Sequence, residues 1–125
     1  MAKQQSKGTR ALLTTLNLSD PPLPEPELEY RFHPVRKWRL DAVWLEWRVA
    51  VEVHGGVHAG GRHTRGQGFI NDREKMNEAQ LLGWIVLEMP IQWLENDPLW
   101  CITMIAEAMM VQGVRKLQAA GIEVR

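Results

Sequence analysis

The chain reads as a mixed α/β domain on three observations. Three alternating apolar–polar runs lie close together at 28–33, 37–44 and 48–55. A helix-periodic segment over 69–83 separates them from a fourth strand-like run at 84–90. A long amphipathic segment over 98–121 closes the chain. Side chains two apart share a strand face and side chains three or four apart share a helix face, so the switches of period mark the elements. The order is strand, strand, strand, helix, strand, helix, with a short helix in front. Such an order builds a sheet flanked by helices.

Taken in order, residues 1–10 are polar, and "RALLTTLNL" (10–18) suits a short helix. "SDPPLPEPE" (19–27) holds four prolines, which fix φ and stiffen the chain into an extended connector. Residues 1–27 are therefore read as a flexible N-terminal segment with a Pro-rich connector, and 28–125 as the domain. "LEYRFH" stops at Pro34 and reads as the first strand. "KWRLDAVW" and "RVAVEVHG" follow as a hairpin, because the gap between them is short. "HGGVHAGGRHTRGQG" (54–68) has six glycines and no apolar period, so it is a long loop of the kind that often carries function. In "FINDREKMNEAQLLG", Asn71 or Asp72 suits an N-cap, Met76, Ala79 and Leu82 form an apolar face, and Gly83 stops the helix. "WIVLEMP" is a strand closed by Pro90. The final helix has Gly113 as a point for a kink, and its methionines read as core filler. That helix has two roles open to it, finishing the core or mediating a homodimer.

Composition narrows the class. At 125 residues with 45% hydrophobic content, one domain with a real core is expected. The single cysteine, Cys101, excludes an internal disulfide and fits a reducing compartment. No apolar run approaches the roughly 18 residues of a membrane span, and no signal-type apolar core follows the basic N-terminus. A soluble cytoplasmic protein with no membrane partner is expected. Net charge is zero, yet residues 31–75 carry nine Lys or Arg against five Asp or Glu, while 76–125 carry three against six. A basic half suits an anionic partner.

The chemistry centres on "RLDAVWLEWRVAVEVHGG" (39–56). Leu40, Ala42 and Trp44 are expected on one face and Arg39, Asp41 and Val43 on the other. Val49, Val51 and Val53 share a face, with Ala50, Glu52 and His54 opposite. A two- or four-residue turn sets Asp41 directly across from Glu52, with Cβ atoms about 5 Å apart. Two carboxylates that close repel by roughly 4 kcal/mol at 4 Å with an effective dielectric near 20. They then share a proton or hold a cation, and a hard ion such as Mg²⁺ suits two carboxylates plus waters. A three-residue loop would separate the acids, and Arg39, Arg48 or Lys37 would neutralise them without a metal. The turn sequence leaves these alternatives open.

An Asp on one strand and a Glu-x-Lys variant on the next, inside this element order, resembles the PD-(D/E)XK nuclease superfamily. "RLDAVW" and "AVEVHGG" correspond to its two metal-binding strands. The stretch from "EYRFHPVRKWRLDAVW" through "GGRHTRGQGFINDREKMNEAQLLGW" further resembles small phage and prophage endonuclease-like proteins related to the very-short-patch-repair and DUF559 groups. The resemblance spans about residues 28–90. It implies a restriction-endonuclease-like αβββαβ core and Mg²⁺-dependent hydrolysis of DNA phosphodiesters, with Mn²⁺ able to substitute. In a phage-encoded protein this would act in the host cytoplasm. By position, Asp41 and Glu52 are metal ligands and the Val53 carbonyl a third. His54 stands where the family has lysine, either replacing it or marking its loss. Lys75 on the following helix is a candidate relocated lysine, and Asp72 shares its helix side, as in a plain surface ion pair. Glu29 is the nearest counterpart of the family's N-terminal acid, so one metal is expected rather than two.

The glycine loop offers backbone amides and Arg62, His63 and Arg65 for phosphate contacts. Arg36, Lys37 and Arg39 extend the same basic face towards DNA. His58 and His63 are second-line catalytic candidates, because very-short-patch-repair enzymes use histidines in this region. The three tryptophans Trp38, Trp44 and Trp47 are expected in packing rather than base stacking. Two further readings remain: a non-catalytic DNA-binding relative, and a zinc-stabilised interaction module using His54, His58 and His63.

Overall fold

In a computed structural model, the chain forms α1 (Lys7–Leu16), β1 (Glu27–Arg31), β2 (Arg39–Trp44), β3 (Val49–His54), α2 (Gln67–Leu81), β4 (Ile85–Pro90), α3 (Ile91–Asn96) and α4 (Pro98–Ala119). The structure describes residues 5–55 and 66–125. The four strands form one mixed sheet in the order β1-β2-β3-β4. The first two pairings are antiparallel and β3–β4 is parallel, with α2 as the crossover between them. The fold is thus α/β, in the order α-βββ-α-β-αα. No helix among the described residues is long and apolar enough to cross a membrane.

Two apolar clusters lie on the two sides of the sheet. The larger joins Ala42, Trp44, Val49, Val51 and Met89 to Leu12 of α1, Leu94 of α3, and Cys101 and Ile105 of α4. The smaller joins Leu40, Val43 and Ala50 to Ala79 of α2 and to Trp84. The valine alternation of β3 works as expected, with Val49 and Val51 on the α4 side and Ala50 on the α2 side. Leu40 does not join Ala42 and Trp44 as expected, but packs with Val43 on the other side. The reason lies on β1. Glu29 has φ +53°, a left-handed conformation uncommon for a residue with a Cβ. On either side of it, Leu28 packs in the larger cluster and Tyr30 in the smaller. Because Leu28 pairs with Ala42 and Tyr30 with Leu40, the β1–β2 ribbon exchanges faces at the level of Glu29 and Asp41.

Local signals explain most boundaries. Ser6 caps α1, its hydroxyl accepting from the Thr9 amide at 3.1 Å. Gly83, with φ +89°, ends α2 in a Schellman motif: its N–H bonds the Gln80 carbonyl, and the Trp84 N–H bonds that of Ala79. The N-terminus of α2 differs from expectation. Gly66, φ +89°, occupies the cap, so Asn71 and Asp72 lie inside the helix. The six-residue α3 adds an element that was not expected, and α4 runs unbroken through Gly113.

The N-terminal stretch contributes directly to the packed body. Leu12 is fully buried among β3, β4 and α4 residues. Gly8 lies so close to β3 that a Cβ there would meet Val53 Cγ1 at 2.8 Å. Behind α1, the Pro-rich connector is fixed by the Trp44 indole, which donates to the Pro24 carbonyl at 2.6 Å. At the far end, the buried Gln112 amide donates to the Arg48 carbonyl at 3.0 Å and the Gly83 carbonyl at 2.8 Å. It thereby joins α4 to the starts of β3 and β4.

Leu12→Ala is expected to destabilise the protein by about 2–5 kcal/mol, the usual cost of emptying a closed core site. Urea unfolding measures it. A midpoint unchanged by the substitution would mean that α1 is not part of the cooperative unit.

Candidate functional site

The hairpin turn sets the geometry. Residues 45–48 form a four-residue turn closed by the Trp47 amide on the Trp44 carbonyl, with Arg48 at φ +52°. Trp44 then pairs with Val49, Val43 with Ala50 and Ala42 with Val51. The next position in this register brings Asp41 to Glu52, as an even loop requires. There the ladder stops. Arg39 continues to pair with β1, while Glu52, Val53 and His54 continue with β4. The two strands part at the acids.

The acids bridge the gap they occupy. Asp41 Oδ2 accepts from the Val53 amide at 2.8 Å, and Glu52 Oε2 accepts from the Asp41 amide at 2.8 Å. Each carboxylate thus satisfies a main-chain donor left unpaired where the strands separate. Glu52 Oε1 accepts from the Lys75 ammonium, delivered by α2. Glu52 is only 5% exposed. Burial, aided by repulsion from Asp41, pushes its carboxyl up to about 7, although Lys75 and the Asp41 amide pull the other way. The pair is therefore short of positive charge near neutral pH, even with Lys75 in place.

A second group lies beside it on the same sheet. Glu88 pairs with Glu52 in the β3–β4 register. Its Oε1 lies 3.2 Å from His54 Nε2 and 3.6 Å from the Arg73 guanidinium. Arg73 also binds Asp72, which holds it firmly protonated. His54 thus sits at the exposed end of β3 facing Glu88, and the cation that reaches Glu52 is Lys75. Asp72, expected beside Lys75, pairs with Arg73 instead. Glu88 and Arg73 were not singled out from sequence, although a lone acid inside the apolar run "WIVLEMP" is the signal that would have marked Glu88.

The remaining sequence candidates are spread more widely. Glu29 is exposed on β1 at the level of Asp41. Arg36 is committed to Glu74 at 2.7 Å and lies over the Trp38 ring at 4.0 Å. Lys37 and Arg39 are exposed on the approach to β2. Trp44 is buried in the core and Trp38 stacks on Phe32, in keeping with packing roles. His58, Arg62, His63 and Arg65 lie outside the described residues. Among the described residues, no set of three His, Cys, Asp or Glu is arranged to hold a metal ion. Any cation at Asp41 and Glu52 would therefore take its other ligands from main chain or water.

No protein-family model matches the chain, and no curated protein or solved structure matches it.

The raised Glu52 carboxyl makes stability depend on pH with a definite sign. In the unfolded chain it ionises near 4.5 and in the folded protein near 7. Its contribution is complete below about pH 4.5 and falls away as pH rises through 7. The total loss is on the order of 3 kcal/mol, from 1.36 kcal/mol per pKa unit. Thermal unfolding in chelator between pH 4.5 and 8.5 should show this descent in the wild type and a flatter profile in Glu52→Gln. Parallel profiles for the two proteins would refute the assignment.

Proposed function

We propose that the chain is a divalent-metal-dependent DNA endonuclease on a restriction-endonuclease-like αβββαβ core. The observation that carries this reading is the pair Asp41 and Glu52 at the point where β2 and β3 part, with Lys75 on Glu52. The run α1 to β4 has the element order that the nuclease core requires. Lys75 supplies a lysine at the carboxylates although His54 occupies its usual position in the strand.

The donor set suits a hard cation. Two carboxylates, one of them buried and titrating near neutrality, gain from added positive charge. Asp41, Glu52 and the Val53 carbonyl would hold Mg²⁺ or Mn²⁺ with waters completing the shell. A bound ion of this kind polarises a phosphoryl oxygen and acidifies a water molecule. The chain's own groups do the rest. The Lys75 ammonium, already aimed at the carboxylates, donates to a phosphate oxygen brought beside them. His54, held by Glu88 and open to solvent, is the group at the mouth able to accept a proton. Lys37 and Arg39, with Arg62 and Arg65 of the glycine loop, supply phosphate contacts that position the duplex without reading its sequence.

A non-catalytic DNA-binding relative is the second reading, and one observation favours it. Both Glu52 oxygens and one Asp41 oxygen already have donors within the chain, so the pair is satisfied in part without a metal.

The test is cleavage of supercoiled, linear and branched DNA with Mg²⁺ or Mn²⁺ and with chelator. The wild type should cut with either metal and not with chelator. Asp41→Asn, Glu52→Gln and Lys75→Ala should each lose about 100-fold or more, in the range usual for groups acting in proton transfer or charge stabilisation. Folded wild-type protein that binds DNA and cuts none of these substrates selects the second reading. Cutting that survives Asp41→Asn rejects the assignment of the site.

A further inference from the structure

The last helix is apolar on two opposite sides. One side carries Cys101, Ile105, Ala108 and Met109 into the core. Facing away from it, Met110 is 70% exposed, with Val111, Val114 and Leu117 also open to solvent. An exposed apolar stripe rimmed by polar side chains marks a surface that pairs with a partner. Within the outer face, Glu107, Val111, Val114 and Gln118 follow the 4-3-4 spacing of a helix–helix seam.

We propose that this face pairs with α4 of a second copy of the chain, antiparallel and about a twofold axis. The charge pattern selects that occupant. In a twofold contact, residue i meets j and j meets i. Centring the axis between Val111 and Val114 sets each of these valines against the other in the second copy. The same register puts Glu107 against Gln118 at both ends of the seam, a carboxylate facing an amide donor. Arg115, one turn from Val111 on the flank, lies within reach of Glu107 across the axis. Met110 and Leu117 close the rim. The face is thus complementary to itself only when reversed. A parallel copy would set Glu107 against Glu107. In this register the two helices overlap over residues 106–119, about 21 Å, a contact below the small end of stable interfaces, so weak association is expected. The inference stands independently of the nuclease reading.

Sedimentation of the full chain over a concentration series tests it. The wild type should pass from monomer to dimer, and Val114→Glu should remain monomeric with an unchanged circular dichroism spectrum and melting temperature. Glu107→Lys and Gln118→Glu should each weaken the dimer about tenfold or more, because each sets like charges or unmatched groups together. The double variant E107K/Q118E should recover wild-type association, since the introduced ammonium of one copy then faces the introduced carboxylate of the other. A wild type that stays monomeric throughout, or a dimer that the double variant does not recover, overturns the proposal. In the first case the face belongs to a different partner, and in the second to a different register.

Discussion

The parting of β2 from β3 is the constraint around which the rest of the molecule is arranged. Beyond Ala42 and Val51 the two strands no longer bond to each other, and two acidic side chains take the place of the main-chain ladder. A buried gap in a sheet is costly because its amides and carbonyls lose water without gaining partners. Asp41 and Glu52 relieve that cost by accepting from the exposed amides. They also concentrate negative charge in a place from which water is largely excluded. The gap is held open from both edges. β2 keeps its pairing with β1 past the gap on one side, and β3 keeps its parallel ladder with β4 on the other.

That charge explains the placement of α2. The helix brings Lys75 to Glu52 and Arg73 to Glu88, two cations to two acids that neighbour each other across β3 and β4. Its position is fixed independently at both ends of the loop that enters β2. Arg36 binds Glu74, and His33 reaches Glu78 at 3.8 Å. His33 also organises that loop by accepting from the Val35 and Arg36 amides. The loop leading to Asp41 and the helix carrying Lys75 are therefore fastened to each other. The exposed Arg36–Glu74 pair is weak by itself, in the range of about 0–1 kcal/mol, so positioning rather than stability is what it contributes.

Much of this was legible in the sequence, for identifiable reasons. The valines of β3 marked its faces because period is a property of the chain alone, whereas the turn length was open in the sequence, and the Trp44–Val49 pairing selects the even turn that brings Asp41 to Glu52. Gly83 ended α2 as a left-handed cap should. The face exchange at Asp41 was not legible, since it depends on a left-handed glutamate, a residue type with no preference for that conformation. The start of α2 was displaced for a related reason: Gly66, rather than Asn71 or Asp72, provides the cap. Helix α3 is too short to show a period. Lys75 could be placed on a helix side from its spacing, but its choice of Glu52 over Asp72 is made by tertiary packing, as is the choice of His54 for Glu88.

The buried amide of Gln112 has a consequence for how the molecule opens. By donating to the Arg48 and Gly83 carbonyls, it ties α4 to the residues that lead into β3 and into the edge strand β4. Undocking the helix would break both of these bonds at once, while the Ile85 amide still joins β4 to the Arg48 carbonyl, so α4 and the segments entering β3 and β4 should loosen together rather than peel away singly. In native-state hydrogen exchange these segments would then form one unit with a shared opening energy. The Asp41 and Val53 amides, held by carboxylates instead of by the β2–β3 ladder, would exchange by smaller motions of their own.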